Sequence, residues 1–268
     1  MDKATWGGVV LGLGGIVGGL LLEGGRLSQI LQPTAAMIVF GGTAGAILIH
    51  FPLSVVLSAL RHLVDVFIQP NLRSQELVQE LVKFARQARR QGIVSLDSEL
   101  PRIKDPFLQK ALMLAVDGME PRELRKLIEL EMDAKAEREE RIPQVFESAG
   151  GFSPTIGIIG AVLGLIQVMQ HLDKIDEVGR GIAVAFVATV YGVGAANLLF
   201  LPSAGKLRIR IREEQIVREM TLEGVVSIQE GMNPRMLESK LLAFLSEGRP
   251  ESGAVPPAAE SETVESSQ

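Results

Sequence analysis

Four stretches of the chain contain no Asp, Glu, Lys or Arg: residues 4–22, 30–60, 150–170 and 181–203. A helix needs about 20 residues to cross the hydrocarbon core of a bilayer, so each stretch predicts a membrane span. The first is only just long enough, and the second is long enough to overrun, with Pro52 near its inner end. Between the second and third stretches the apolar residues recur with a helical period. Leu77, Val78, Leu81, Val82 and Ala85 form one stripe opposite Arg73, Glu76, Glu80, Lys83 and Arg86, which predicts an amphipathic helix over 72–90 ended by Gly92. A second helix is predicted over 106–116. A third begins with Pro121 in its first turn and runs toward the third span. After the fourth span, LRIRIREEQIVREMTLEGVVSIQ reads as a long helix, and NPRMLESKLLAFLS as another, capped by Asn233 with Pro234 at its first position. Residues 248–268 are rich in Pro, Ser and Glu without apolar periodicity, and disorder is expected there.

This pattern predicts an all-α integral membrane protein. Residues 1–60 hold membrane helices 1 and 2, and 61–149 a cytoplasmic helical loop. Residues 150–203 hold membrane helices 3 and 4, 204–247 a cytoplasmic helical extension, and 248–268 an acidic tail. Orientation follows from cations near the span ends. Lys206, Arg208, Arg210 and Arg212 follow the fourth span closely, whereas the short connectors hold only Arg26 and the pair Lys174 and Arg180. Both termini and the long loop are therefore expected on the cytoplasmic side. The first span lacks the flanks of a cleaved signal peptide: one Lys precedes it, and no small-residue cleavage site follows.

Composition narrows the chemistry. The chain is 47% hydrophobic, with a mean hydropathy of +0.25, which fits a membrane bundle joined to soluble helices. Net charge is −5 at pH 7 and no zinc-knuckle or RNP-like motif occurs, which argues against nucleic acid as a partner. The absence of cysteine excludes disulfides and thiolate chemistry. His50, His62 and His171 have no metal-ligand spacing, and a phosphate loop is absent. The glycines of GLGGIVGG at 12–19 miss the dinucleotide spacing because Val17 stands at the third glycine position. No metal site, cofactor site or enzyme constellation is predicted.

The spans are more informative. Gly157, Gly160 and Gly164 share one face of the third, and Ala185, Ala188, Gly192, Ala195 and Ala196 one face of the fourth. Small residues on a face let helix backbones approach closely in lipid. Taken alone they predict only a tight bundle. Thr189 adds a polar side chain, expected to be buried mid-span. Pro154 and Pro202 stand near the inner ends of these spans, where each removes a helical hydrogen bond at a cost of about 3 kcal/mol. An ion path through lipid normally carries a buried acid or base, and these spans offer none. The chain is then either an inert anchor or one half of a channel whose carboxylate belongs to another protein.

Four motifs in order carry a resemblance: LLLEGGRLSQILQPTAAMIVFGGTAGA at 20–46, ARRQGIVSLDSEL at 88–100, SPTIGIIGAVLGLIQVM at 153–169 and GIAVAFVATVYGVGAANLLFLPSAGKL at 181–207. From residue 6 to about residue 245 the chain resembles the MotA/PomA family of flagellar motor stator subunits. The resemblance implies a bacterial inner-membrane ring of five subunits around two copies of a MotB-type partner, which bears a membrane aspartate and grips peptidoglycan. It also implies contact with the rotor protein FliG. The family's paired prolines fall on Pro154 and Pro202. Its rotor-facing charges fall on Arg89, helped by Arg90, and on Asp97, helped by Glu99, where Asp97 replaces the usual Glu. Sodium-type members carry a threonine where this chain has Ala161, while Thr189 matches a threonine found in both kinds, so protons are expected rather than sodium. An ExbB/TolQ-type proton channel is the nearest rival, but those proteins place one span before the large loop and this chain places two. A secondary transporter would show repeat symmetry, which the sequence lacks.

Overall fold

The computed structural model describes residues 2–68 and 74–247, and among them the chain is helical with no strand. Its described residues form two compact units, one from Met1–Arg73 and Arg125–Gln215, the other from Ser74–Leu124 and Ile216–Gln268. The predicted tail at 248–268 and residues 72–73 of the first predicted soluble helix lie outside the described residues.

The first unit begins with α1 (Lys3–Leu22), capped by the Asp2 carboxylate, which accepts from the Ala4 and Thr5 backbone N–H groups at 3.0 and 3.4 Å. None of its residues is buried. The second span is interrupted. A single turn, α2 (Leu27–Ile30), gives way to non-helical backbone at Leu31 and extended backbone at Gln32, then to α3 (Pro33–Ala36), a π turn at Met37–Gly41 and α4 (Gly42–His50). The span ends at His50, and residues 53–60 do not continue it as the apolar run suggested. Pro52 has no N–H to donate and forces the residue before it out of the helical region, so Phe51 is extended and a separate helix, α5 (Leu53–Leu63), starts after the proline. A 3-10 turn, Val64–Phe67, closes this segment.

The third and fourth spans belong to much longer helices. After α6 (Ser74–Gln91) and α7 (Pro106–Val116), α8 (Pro121–Gln170) runs unbroken for 50 residues. A turn leads to α9 (Ile175–Ala195), which passes through a π turn at Ala196–Phe200 into α10 (Leu201–Gln229). The divisions at 149/150 and 203/204 therefore fall inside helices. The change from charged to apolar side chains marks the solvent each segment suits, whereas backbone hydrogen bonding continues across it. The first unit's core gathers Ile47, Ala59, Val66, Phe146, Ala204 and Leu207 from α4, α5, the 3-10 turn, α8 and α10.

The second unit contains α6, a 3-10 segment at Ile93–Arg102, α7, and α11 (Pro234–Glu247), with the adjoining ends of α8 and α10. Leu81, Phe84, Leu96, Leu112, Leu237 and Leu241 are almost wholly buried in it. The predicted α6 stripe is its core face, and Asn233 caps α11 by accepting from the Arg235 N–H at 3.0 Å. Gly92, at φ 82°, adopts the left-handed conformation that turns the chain out of α6 into the 3-10 segment, which the apolar pattern does not predict.

Candidate functional site

The glycine and alanine faces of the third and fourth spans meet as a backbone seam. A Cβ added at Gly157 would lie 2.8 Å from the Ala188 carbonyl oxygen and 3.3 Å from the Gly192 Cα. At Gly160 it would meet the Ala188 methyl at 2.8 Å, and at Gly164 the Gly181 carbonyl oxygen at 2.8 Å and the Ala185 nitrogen at 2.9 Å. At Gly192 it would stand 2.6 Å from the Ser153 carbonyl oxygen and 3.2 Å from the Pro154 Cα. Only glycine fits at these positions without displacing the partner helix. Ala185, Ala188 and Gly192 are buried in the same contact, and the buried Ser153 hydroxyl crosses it to donate to the Gly192 carbonyl at 3.0 Å.

Thr189 is half-buried rather than buried, and its hydroxyl donates back to the Ala185 carbonyl at 3.3 Å. The seam is lined by backbone beside it, so the threonine stands at its edge: a Cβ added at Gly157 would lie 3.5 Å from the Thr189 Cα. Ala161, also half-buried, is one turn along α8 from Gly157. The two prolines are not equivalent. Pro154 is half-buried against Gly192 inside an uninterrupted helix, whereas Pro202 is exposed and directly follows the π turn. A π turn absorbs the mismatch that a missing N–H creates in the i→i−4 ladder.

Several contributors escaped sequence reasoning. The Tyr191 hydroxyl donates to the Ile30 carbonyl at 2.5 Å and accepts from the Gln32 N–H at 3.3 Å, bridging the break in the second span. Asn197, exposed at the π turn, donates to the Val193 carbonyl at 2.9 Å. A tyrosine within an apolar span was a usable signal, because its hydroxyl must find a partner there. Neither π turn has a sequence signature beyond the nearby proline.

The four charges assigned to rotor contact all lie in the second unit. Arg89 and Arg90 occupy the last turn of α6 and are exposed, as is Asp97 on the 3-10 segment. Glu99 differs: its side chain is 17% exposed and pairs with Lys83 at 3.0 Å and Arg102 at 3.4 Å. Nearby, burial raises the Glu80 carboxyl above the usual range, with Asp105 and Glu99 adding to the effect and Lys83 and Lys104 opposing it. Glu99 therefore helps hold the patch together, while Arg89, Arg90 and Asp97 present charge outward.

Comparison with known proteins covers nearly the whole chain. Residues 99–220 match the MotA/TolQ/ExbB proton channel family, and residues 6–92 match the Motility protein A N-terminal family. Motility protein A of Bacillus subtilis is 35% identical over 247 residues, 91% of each chain. The structure of C. jejuni MotAB superimposes with a TM-score of 0.87 at 32% identity, covering 95% of this chain and all of that one. The flagellar MotAB stator complex from Bacillus subtilis gives 0.83 at 34% identity, covering 91% and 96%.

Proposed function

Since this chain belongs to the MotA/TolQ/ExbB proton channel family, as a MotA-like ion-channel subunit of the flagellar motor stator, we propose that it couples proton flow to rotor movement. The observation that carries this reading is the seam itself. Two membrane helices pack backbone to backbone, and neither offers an acid or base to the ion. The titrating carboxylate then comes from a MotB-type partner, in keeping with the MotAB complexes that this chain resembles. Five copies enclose two partner helices in the bacterial inner membrane, with both termini and the second unit on the cytoplasmic side. Lipid contacts the exposed apolar residues of the outer helices.

In this mechanism the proton reaches the partner's aspartate beside Thr189 and Ala161. Ala161 offers no oxygen to replace a sodium ion's water, whereas a proton needs only a carboxylate and water. One charge falling through about 150 mV releases roughly 3.5 kcal/mol, enough to shift a two-state helix arrangement. Pro202 and its π turn supply the place where the fourth membrane helix changes shape, and Pro154 sits against Gly192 across the seam. Arg89, Arg90 and Asp97 then act on FliG through long-range charge more than through single bonds. An ExbB/TolQ role is not favoured, because two spans precede the loop and residues 6–92 match the motility-protein family.

The test is to co-express the chain with candidate MotB-type partners in cells lacking a stator. Swimming should return with a partner bearing a membrane aspartate and stop when that residue becomes Asn. Failure with every such partner would sink the reading. Swimming that survives a proton uncoupler but follows sodium concentration would overturn the choice of ion.

A further inference from the structure

Away from the seam, one cluster of charged groups in the first unit surrounds Asp2. Its carboxylate caps α1 and also accepts from Lys206, which donates in addition to the Thr5 hydroxyl. Arg210 stands 3.9 Å from the same carboxylate and donates to the Val66 carbonyl at 3.4 Å. The Thr5 hydroxyl is 3.4 Å from that carbonyl as well, and the Asp2 N–H donates to the Phe67 carbonyl at 3.1 Å. The Trp6 ring lies 5.5 Å from the Phe67 ring. The side chains of Asp2, Lys206 and Arg210 are 20%, 24% and 12% exposed, so water reaches the cluster only in part.

The rest of α1 has little to hold it. None of its residues is buried, and among its glycines only Gly12 would bring a Cβ near another helix, 3.0 Å from Leu198. Lipid is as apolar as the helix, so burial supplies no force to dock it. The polar contacts that tie it to the continuation of the fourth membrane helix are those of the cluster at Asp2. Lys206 and Arg210 lie one and two turns beyond Pro202, and the π turn lies just before it.

We propose that Asp2 is a positioning residue, whose clasp on Lys206 and Arg210 makes α1 travel with the first turns of α10 when ion passage moves that helix at Pro202. This rests on reading the chain as the moving subunit of a stator. Without the clasp, movement at Pro202 is lost as slippage of α10 past α1 and past the Val64–Phe67 turn. With it, the three elements shift together.

Asp2→Asn isolates the clasp, because Asn caps a helix as well as Asp does while removing the charge. Trp6, the chain's single tryptophan, reports on the cluster through Phe67, whose ring it faces and whose carbonyl accepts from the Asp2 N–H. In the full chain purified with a partner whose own tryptophans are replaced by Phe, Asp2→Asn should shift Trp6 emission to the red. It should raise acrylamide quenching by up to about two-fold, because Trp6 is already 45% exposed and a partly exposed ion pair shifts a population by only a few-fold. Swimming speed should fall while the amount of stator in the membrane is kept. Lys206→Met should do the same, and the double variant should be no worse than either single one. Unchanged Trp6 emission in Asp2→Asn overturns the clasp. Changed emission with undiminished swimming, or losses that add in the double variant, overturns its role in coupling. Should Asp2→Asn fail to insert, Thr5→Val, which removes a second acceptor of Lys206, must produce the same emission shift. Inability of the unaltered chain to restore swimming would defeat the stator reading instead, and the Trp6 measurement would still decide the clasp.

Discussion

Gly192 sits so close to Ser153 and Pro154 that a single methyl at its Cα must push two backbones apart. Gly192→Ala should destabilise the packed spans by about 1–3 kcal/mol, the usual cost of overpacking, and abolish swimming. Thermal unfolding of the detergent-solubilised complex measures the first, and motility on soft agar the second. Tyr191 tests a contact of another kind. Tyr191→Phe keeps the ring beside Phe40 but loses both hydrogen bonds at the break in the second span, about 1–3 kcal/mol by the same melt. Asp2 makes a prediction in pH. Its carboxyl is lowered to about 2, chiefly by the Lys206 hydrogen bond. Because the folded value lies below the ordinary one of 3.8, its stabilising contribution is full above that value and is lost as pH falls through about 2. Trp6 emission in the purified complex should therefore hold steady on acidification until pH drops below about 4, and shift only beneath it.

Helix α6 performs two tasks on opposite faces. Leu81 is fully buried on one, against Gly224 of α10, and Arg89 is exposed near the end of the other. Leu81→Ala should cost about 2–5 kcal/mol and lower the unfolding temperature. Arg89→Ala should leave that temperature unchanged and reduce swimming speed, and Arg89→Glu should reduce it further. Should Arg89→Ala melt early, its role is structural and the rotor assignment fails. The α6 stripe is legible because alternate burial imposes a helical period on side-chain type. The 3-10 segment after it is short and buries only one residue in ten, so its apolar positions do not distinguish it from a loop. Glu99 reads like Asp97 in the sequence for a similar reason: spacing reveals neither that Lys83 lies within 3.0 Å nor which carboxylate it prefers.

The proposed topology, four membrane spans with both termini on the cytoplasmic side, makes a further commitment. The chain contains no cysteine, so single cysteines can be introduced without a background to remove. A cysteine at Asp173, in the turn between α8 and α9, should react with a membrane-impermeant maleimide on whole cells. One at Arg89 should react only after the cells are opened. The reverse pattern would invert the chain and place the second unit on the wrong side for any rotor. Neither outcome depends on which ion flows.

The order of the elements, the four spans, the amphipathic face of α6 and the small-residue faces of the third and fourth spans could all be read from residue types. Transfer between water and lipid and the helical period act on each side chain in turn, and leave their mark locally. The missing charge was legible for the same reason, since it is a statement about which residues occur. What the residue pattern could not contain is distance. The interruption at Leu31 and Gln32, the π turn before Pro202, the Tyr191 bridge and the grip of Lys206 on Asp2 join residues that are far apart in the chain or depend on how one helix turn closes. Such contacts arise from the packing of whole helices, and packing is settled by shape in three dimensions rather than by the polarity of any one position.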